Sequence, residues 1–151
     1  MAFAEGTKVP VQRSRDELQR VLERFGVKEF AVATDGTRTR VGFRARGLLC
    51  AIEVPALDRG FVAKRLNRHP AYVGDDRMAA EDRRRWRALV MVVKAKLEAV
   101  ATWISTVEGE FMANVVLKSG RLLADELRPR LRELAESPDG PRLLPDVAGL
   151  S

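Results

Sequence analysis

Two hydrophobic periods divide this chain. Between Thr37 and Arg46 it reads Thr-Arg-Thr-Arg-Val-Gly-Phe-Arg-Ala-Arg. Successive side chains of a strand point to opposite faces. The segment is therefore expected to be a strand with Arg38, Arg40, Arg44 and Arg46 on one face and Thr39, Val41, Phe43 and Ala45 on the other. Glu29 to Thr34 reads as the strand before it, joined through the hairpin signal Asp35-Gly36. Gly47 turns the chain, and Leu48 to Val54 makes a third strand ended by Pro55. These segments predict a three-stranded antiparallel meander with one apolar face to be covered.

Further on the period changes. Trp86, Leu89, Val93, Leu97, Val100, Ile104, Val107 and Phe111 recur every three or four residues. That predicts a main helix over about Ala79 to Val107, roughly 40 Å long at 1.5 Å per residue, broken or bent at Gly109. An earlier helix is expected over Arg15 to Phe25, opened by the capping box Ser14-Arg-Asp-Glu17 and stopped by Gly26. A last one is expected over Leu123 to Glu136, interrupted at Pro129. Between the main and last helices, Val115 to Leu117 is a brief apolar segment leading into a turn at Lys118-Ser-Gly120. Residues 57–78 carry Gly60, Pro70 and Gly74 and read as a long, flexible loop, with at most a short helix near Phe61 to Leu66. Residues 1–13 and 137–151 read as extended. The expected class is α+β, one domain over 1–151, with the meander packed on the long helix and flanked by N- and C-terminal helices.

Composition changes this picture little. At 151 residues, 46% apolar and 32% charged, the chain is long enough for a sizeable core. The single cysteine, Cys50, excludes an internal disulfide and is expected as a buried small hydrophobe in the third strand. A cytoplasmic setting fits. Charge arrives early (Glu5, Lys8), so no signal peptide is expected, and Ala88 to Val93 is too short an apolar run to span a membrane. The net charge of +6 favours a nucleic acid, an anionic membrane surface or an acidic protein as partner. With 21 Arg against 6 Lys, however, a GC-rich coding bias yields the same excess without selection for binding. It accounts less well for arginines placed on one side of one strand.

Candidate chemistry follows from these placements. Outward residues along a strand recur about every 7 Å, close to the spacing of phosphates along a nucleic-acid strand. Arg38, Arg40, Arg44 and Arg46 thus form a candidate phosphate-binding face. The competing reading is a solvated sheet face, and the absence of aromatics beside the arginines weakens base stacking. Arg83, Arg84, Arg85 and Arg87 form a second candidate cluster near the start of the long helix, where cations oppose the macrodipole. The competing reading there is a charged, solvated turn. Trp86 and Phe111 belong to the helical stripe and are expected in the core. Trp103 lies one residue off the stripe and is the candidate for a contact between subunits. Asp75-Asp76 and Glu108-x-Glu110 are the acidic pairs worth testing as a metal site, but no spacing requires one. One His and one Cys do not make a triad or a zinc site, and no glycine-rich phosphate loop is present. No catalytic residue, metal or cofactor is therefore assigned.

Arg85-Trp-Arg-Ala-Leu89, Val93-Lys-Ala-Lys-Leu-Glu-Ala-Val100 and Glu108-x-Glu110-Phe111 resemble a family of small uncharacterised phage and prophage proteins of high-GC bacteria. Thr7-Lys-Val-Pro10, Val116-Leu117 with Gly120-Arg121, and Leu143-Leu144-Pro145 extend the resemblance towards both ends. It implies a mobile-element protein acting in a bacterial cytoplasm, and no particular chemistry. Taken together, the expectation is a non-enzymatic nucleic-acid-binding accessory protein, of low sequence specificity and suited to single-stranded DNA. The alternative is an interaction module that blocks an acidic surface of a host defence or replication protein. A third reading is a homo-oligomer built on the long helix.

Overall fold

The computed structural model describes residues 9–136. In chain order, α1 (Val11–Arg24) leads into β1 (Phe30–Thr34), β2 (Arg38–Ala45) and β3 (Leu48–Pro55), then α2 (Arg59–Arg65) and α3 (Asp75–Ala101). Three short helices follow, α4 (Val107–Phe111), α5 (Leu123–Leu127) and α6 (Leu131–Ala135). The α+β class and the antiparallel order β1-β2-β3 are as expected.

Register sorts the two faces of the sheet. Phe30, Phe43 and Cys50 align across the strands, as do Val32, Val41 and Ile52. These residues pack against Leu18, Val21 and Leu22 of α1, Trp86, Val90, Val93 and Leu97 of α3, and Val107 and Phe111 of α4. Phe43 and Phe111 meet edge to face at 5.3 Å. Full burial of each such side chain stabilises the fold by about 1.5–3 kcal/mol. On the opposite face Arg40 lies between Ala33 and Glu53, and Gly42 between Ala31 and Ala51. Asp35 organises the first hairpin turn, its Oδ1 accepting from the Thr37 and Arg38 amides at 2.7 and 3.0 Å. The Thr37 hydroxyl, which also donates to it, holds the Asp35 carboxyl below its usual pKa.

Several boundaries differ from the sequence expectation. α1 begins one turn early, at Val11, because Val11 packs against the core. Ser14 consequently lies inside the helix, buried, with Oγ lacking a hydrogen-bond partner, and there is no capping box. Glu17, its supposed partner, instead binds Arg87 of α3. Within 57–78 the short helix expected near Phe61 to Leu66 is present as α2, and the rest of the span is more ordered than the loop expected there. Asp58 caps α2 by accepting from the Phe61 amide at 2.8 Å, a single 3-10 turn covers Pro70–Tyr72, and Val62, Ala63 and Val73 form a small second core. α2 is only seven residues long, and its buried Val62 and Ala63 belong to the second core, so it leaves little periodic signal.

The long helix starts at Asp75 and stops at Ala101 rather than Val107. Gly109 is not the break, since it lies inside α4. The break falls over residues 102–106, after which Val107 and Phe111 rejoin the core. Val115 bridges to Cys50, and the Val116 amide donates to Leu49 O at 2.8 Å, adding a short run to the outer edge of β3. The turn at Gly120 has φ of +84°, which favours glycine. The last helical region is interrupted at Pro129 as expected, a 3-10 turn over Arg128–Arg130 separating α5 from α6. The expected extended tail, 137–151, lies outside the described residues, as do residues 1–8 of the lead-in.

Candidate functional site

Alternation along β2 brings Arg38, Arg40 and Arg44 to the sheet face opposite the core, as the sequence pattern predicts. It does not bring Arg46. β2 ends at Ala45, and Arg46 with Gly47 forms a two-residue turn at φ +48° and +78°. Positive φ at both central positions is the signature of the hairpin turn that matches strand twist. The turn takes the Arg46 side chain off the arginine face and into a different groove, beside Trp103.

The remaining arginines of the face are not free charges. Glu53 of β3 accepts from Arg38 Nη1 at 3.0 Å and from Arg40 Nε at 3.2 Å, and also pairs with Arg40 Nη2. Arg40 Nη2 additionally donates to Gly120 O at 3.1 Å. Arg44 Nε donates to Glu29 Oε2 at 2.9 Å. Repulsion along the strand is thus offset by two carboxylates that cross-strand register places opposite or beside it.

The second predicted cluster is dispersed. Successive residues of a helix point about 100° apart, so Arg83, Arg84 and Arg85 cannot share one face. Arg87 reaches α1, where Nη1 and Nη2 clasp Glu17 at 2.5 and 2.9 Å. That hydrogen bonding lowers the Glu17 pKa and raises that of Arg87. Arg85 Nη2 donates to Pro55 O at 2.6 Å, and burial lowers its pKa. Arg84 and Arg65 share the buried carboxylate of Glu81. Arg83 is half-buried, with Nε unpartnered among the described residues. Trp86, between them, is buried beneath the Arg15 guanidinium, 4.6 Å from its ring centroid. These residues serve the packing of α3, which lies on the core side of the sheet, away from the Arg40 face.

Tertiary structure assembles a different set. An open groove of about 470 Å³ is lined by Arg38, Arg40, Arg121 and Arg128, with Glu53, Asp125, Gly120 and Pro129. Arg121 and Arg128 come from the C-terminal segment, which runs along the edge of the arginine face. Arg128 Nη1 donates to Asp125 Oδ1 at 2.8 Å, and Arg121 Nη1 donates to Glu126 Oε2 at 2.6 Å. The lining carries four guanidinium groups against two carboxylates. The groove continues past Ser119 towards Thr34 on one side and over the small apolar residues Ala31, Gly42 and Ala51 on the other, with Arg40 lining all three parts. Sequence reading missed Arg121 and Arg128, which nothing local distinguishes from other surface arginines.

Among the described residues no three acidic, His or Cys side chains gather as a metal site. Asp75 pairs with Arg59 at 2.8 Å instead. Cys50 is buried, which raises its thiol pKa. No helix among these residues is long and apolar enough to cross a membrane. A second groove, of about 490 Å³, is apolar and lies between α4 and the last helices, lined in part by Met112, Leu127 and Leu131. No family model, curated protein or solved structure matches the chain.

Proposed function

We propose that this protein is a non-enzymatic nucleic-acid-binding accessory factor of a phage or mobile element, holding phosphates in the groove of Arg38, Arg40, Arg121 and Arg128. One observation carries the reading: these four guanidinium groups, up to 90 positions apart in the chain, line one open groove with a surplus of positive charge. Among the described residues Arg38 and Arg128 each commit a single terminal nitrogen to a carboxylate, leaving the rest of the fork for a ligand. The acids that pair with the arginines also orient them, which suits bidentate phosphate contact.

The surplus is small, so binding is weak and involves few phosphates. Neutralising about two phosphates gives a slope of log K against log salt of about −1.4 for a single strand and −1.8 for a duplex. The test is fluorescence anisotropy with labelled single- and double-stranded oligonucleotides at low and moderate salt. Arg38→Glu/Arg128→Glu is expected to abolish binding, while Arg44→Glu, whose partner is Glu29 outside the groove lining, is expected to leave most of it. No binding by the wild type at low salt would discard the phosphate reading.

The second reading is an interaction module that docks on an acidic surface of a host protein. The apolar groove beside Met112 and Leu131 favours it, because Arg128 lines that groove too and would place a cation at its rim. An amphipathic acidic helix is the ligand such a groove takes. Specificity separates the readings: phosphate binding accepts any strand of sufficient length, whereas a docking module requires one partner.

A further inference from the structure

The carboxyl end of α3 carries the wrong residue for its backbone. The Trp103 amide donates to Val100 O at 3.2 Å and the Ile104 amide to Ala99 O at 3.0 Å. That pair of bonds is a Schellman motif, whose left-handed position is ordinarily glycine. Trp103 occupies it at φ +66°. Among the described residues only Arg46, Asn67 and Trp103 have positive φ without being glycine. Asn tolerates that region well. The other two, Arg46 and Trp103, line the same open groove of about 480 Å³, whose wall is Val100, Ala101, Ser105, Thr106 and Val107. Arg46 takes its positive φ in a hairpin turn that calls for it, whereas Trp103 takes it at a helix end where glycine is ordinary, so the exposed indole is held there at a backbone cost.

What those side chains offer is apolar surface and charge. Trp103 is 92% exposed and Ile104 83%. Glu108 also lines the groove, and neither it nor Arg46 has a side-chain partner among the described residues. The surface therefore presents a projecting indole, a recess of Val100, Ala101 and Val107 edged by the hydroxyls of Ser105 and Thr106, and, side by side, a cation and an anion that have no partner among the described residues. A patch that holds both a knob and its hole, and both signs of charge, is complementary to itself, which is the requirement of a two-fold interface.

We infer that the protein self-associates through this patch. Two copies meet about a two-fold axis, each seating Trp103 and Ile104 against the other's Val100, Ala101 and Val107, with Arg46 of each facing Glu108 of the other. Trp and Arg are the residues most enriched among interface hot spots. The inference stands apart from the phosphate reading, because neither Trp103 nor Arg46 lines the Arg40 groove.

Sedimentation equilibrium of the full chain, at concentrations from about 1 to 200 μM, brackets a micromolar dissociation constant. The expected mass rises from 16.9 kDa towards twice that value. Trp103→Gly places the preferred residue in the left-handed position, so it folds, and is expected to weaken association at least about thirtyfold. Arg46→Glu and Glu108→Arg are each expected to weaken it about tenfold, and the double exchange to restore it to within about threefold. A wild type that stays at 16.9 kDa throughout overturns the inference, as does a dimer that Trp103→Gly leaves intact. A double exchange no tighter than the single variants overturns the two-fold arrangement.

Discussion

The ends of α1 and α3 are the same backbone structure built for different purposes. At α1 the Gly26 amide donates to Glu23 O and the Val27 amide to Leu22 O, at 3.0 and 3.1 Å. The left-handed residue is glycine, at φ +88°, and the next residue, Val27, is only 6% exposed. At α3 the left-handed residue is Trp103, and the next, Ile104, stands in solvent. At α1 the motif terminates a helix and returns an apolar side chain to the core at little conformational cost. At α3 it carries a backbone cost and leaves two large apolar side chains exposed, away from the core.

Three experiments break or sharpen that contrast. The largest effect is expected at the residue after each left-handed position. Val27→Asp buries an unpaired charge in the core and is expected to destabilise the protein by about 3–4 kcal/mol in urea unfolding. Ile104→Asp is expected to stay within about 0.5 kcal/mol of wild type at concentrations where the protein is monomeric. Equal losses would mean that both ends serve packing.

The left-handed residues themselves come next. A Cβ added at Gly26 meets nothing within 4 Å, so Gly26→Ala isolates the backbone term and is expected to cost about 1 kcal/mol. Trp103→Gly removes the same penalty but loosens the unfolded chain, for a net gain of about 0.5 kcal/mol at concentrations where the protein is monomeric. Opposite signs in thermal unfolding support the contrast, and a loss at Trp103→Gly removes it.

The smallest effect concerns the clamp between the two helices, Glu17 on Arg87. The folded Glu17 pKa lies below its ordinary value because Arg87 hydrogen-bonds the carboxylate. The stability it contributes is therefore fully present above the unfolded carboxylate pKa of about 4.3 and is lost as pH falls through the lower folded value. Both partners are partly solvated, so the contribution is about 0.5 kcal/mol. Glu17→Gln is expected to lower stability by that amount at pH 7, with the difference shrinking as the pH is taken below 4. A difference that grows on acidification would contradict the assignment.

Local signals were the legible ones. Alternation from Arg38 to Ala45 identified the arginine face, and Asp35-Gly36 the hairpin, because both are read from neighbouring residues. The three-four period from Trp86 to Leu97 identified the buried side of α3 for the same reason. It misled at Ile104, because the spacing continues across a helix end that the spacing itself does not record. The Ser14 to Glu17 spacing misled in another way, since a capping box is only an option that tertiary contacts can displace. Glu17 found Arg87, 70 positions away, and Val11 drew the helix start towards the core.

By itself, then, the sequence determined the three strands, the middle of α1 and of α3, and the sidedness of β2 and α3, because φ/ψ preference and side-chain period act over a few residues. Only the tertiary structure decided which charges are partnered. Glu53 and Glu29 meet their arginines through strand register, and Arg121 and Arg128 join Arg38 and Arg40 because the C-terminal segment runs alongside β3 and over to the arginine face. It also decided that Arg46 leaves the face at a turn and lies beside Trp103. Such pairings depend on how distant segments pack. A guanidinium carries no mark in the sequence of the carboxylate, or the groove, that it will meet.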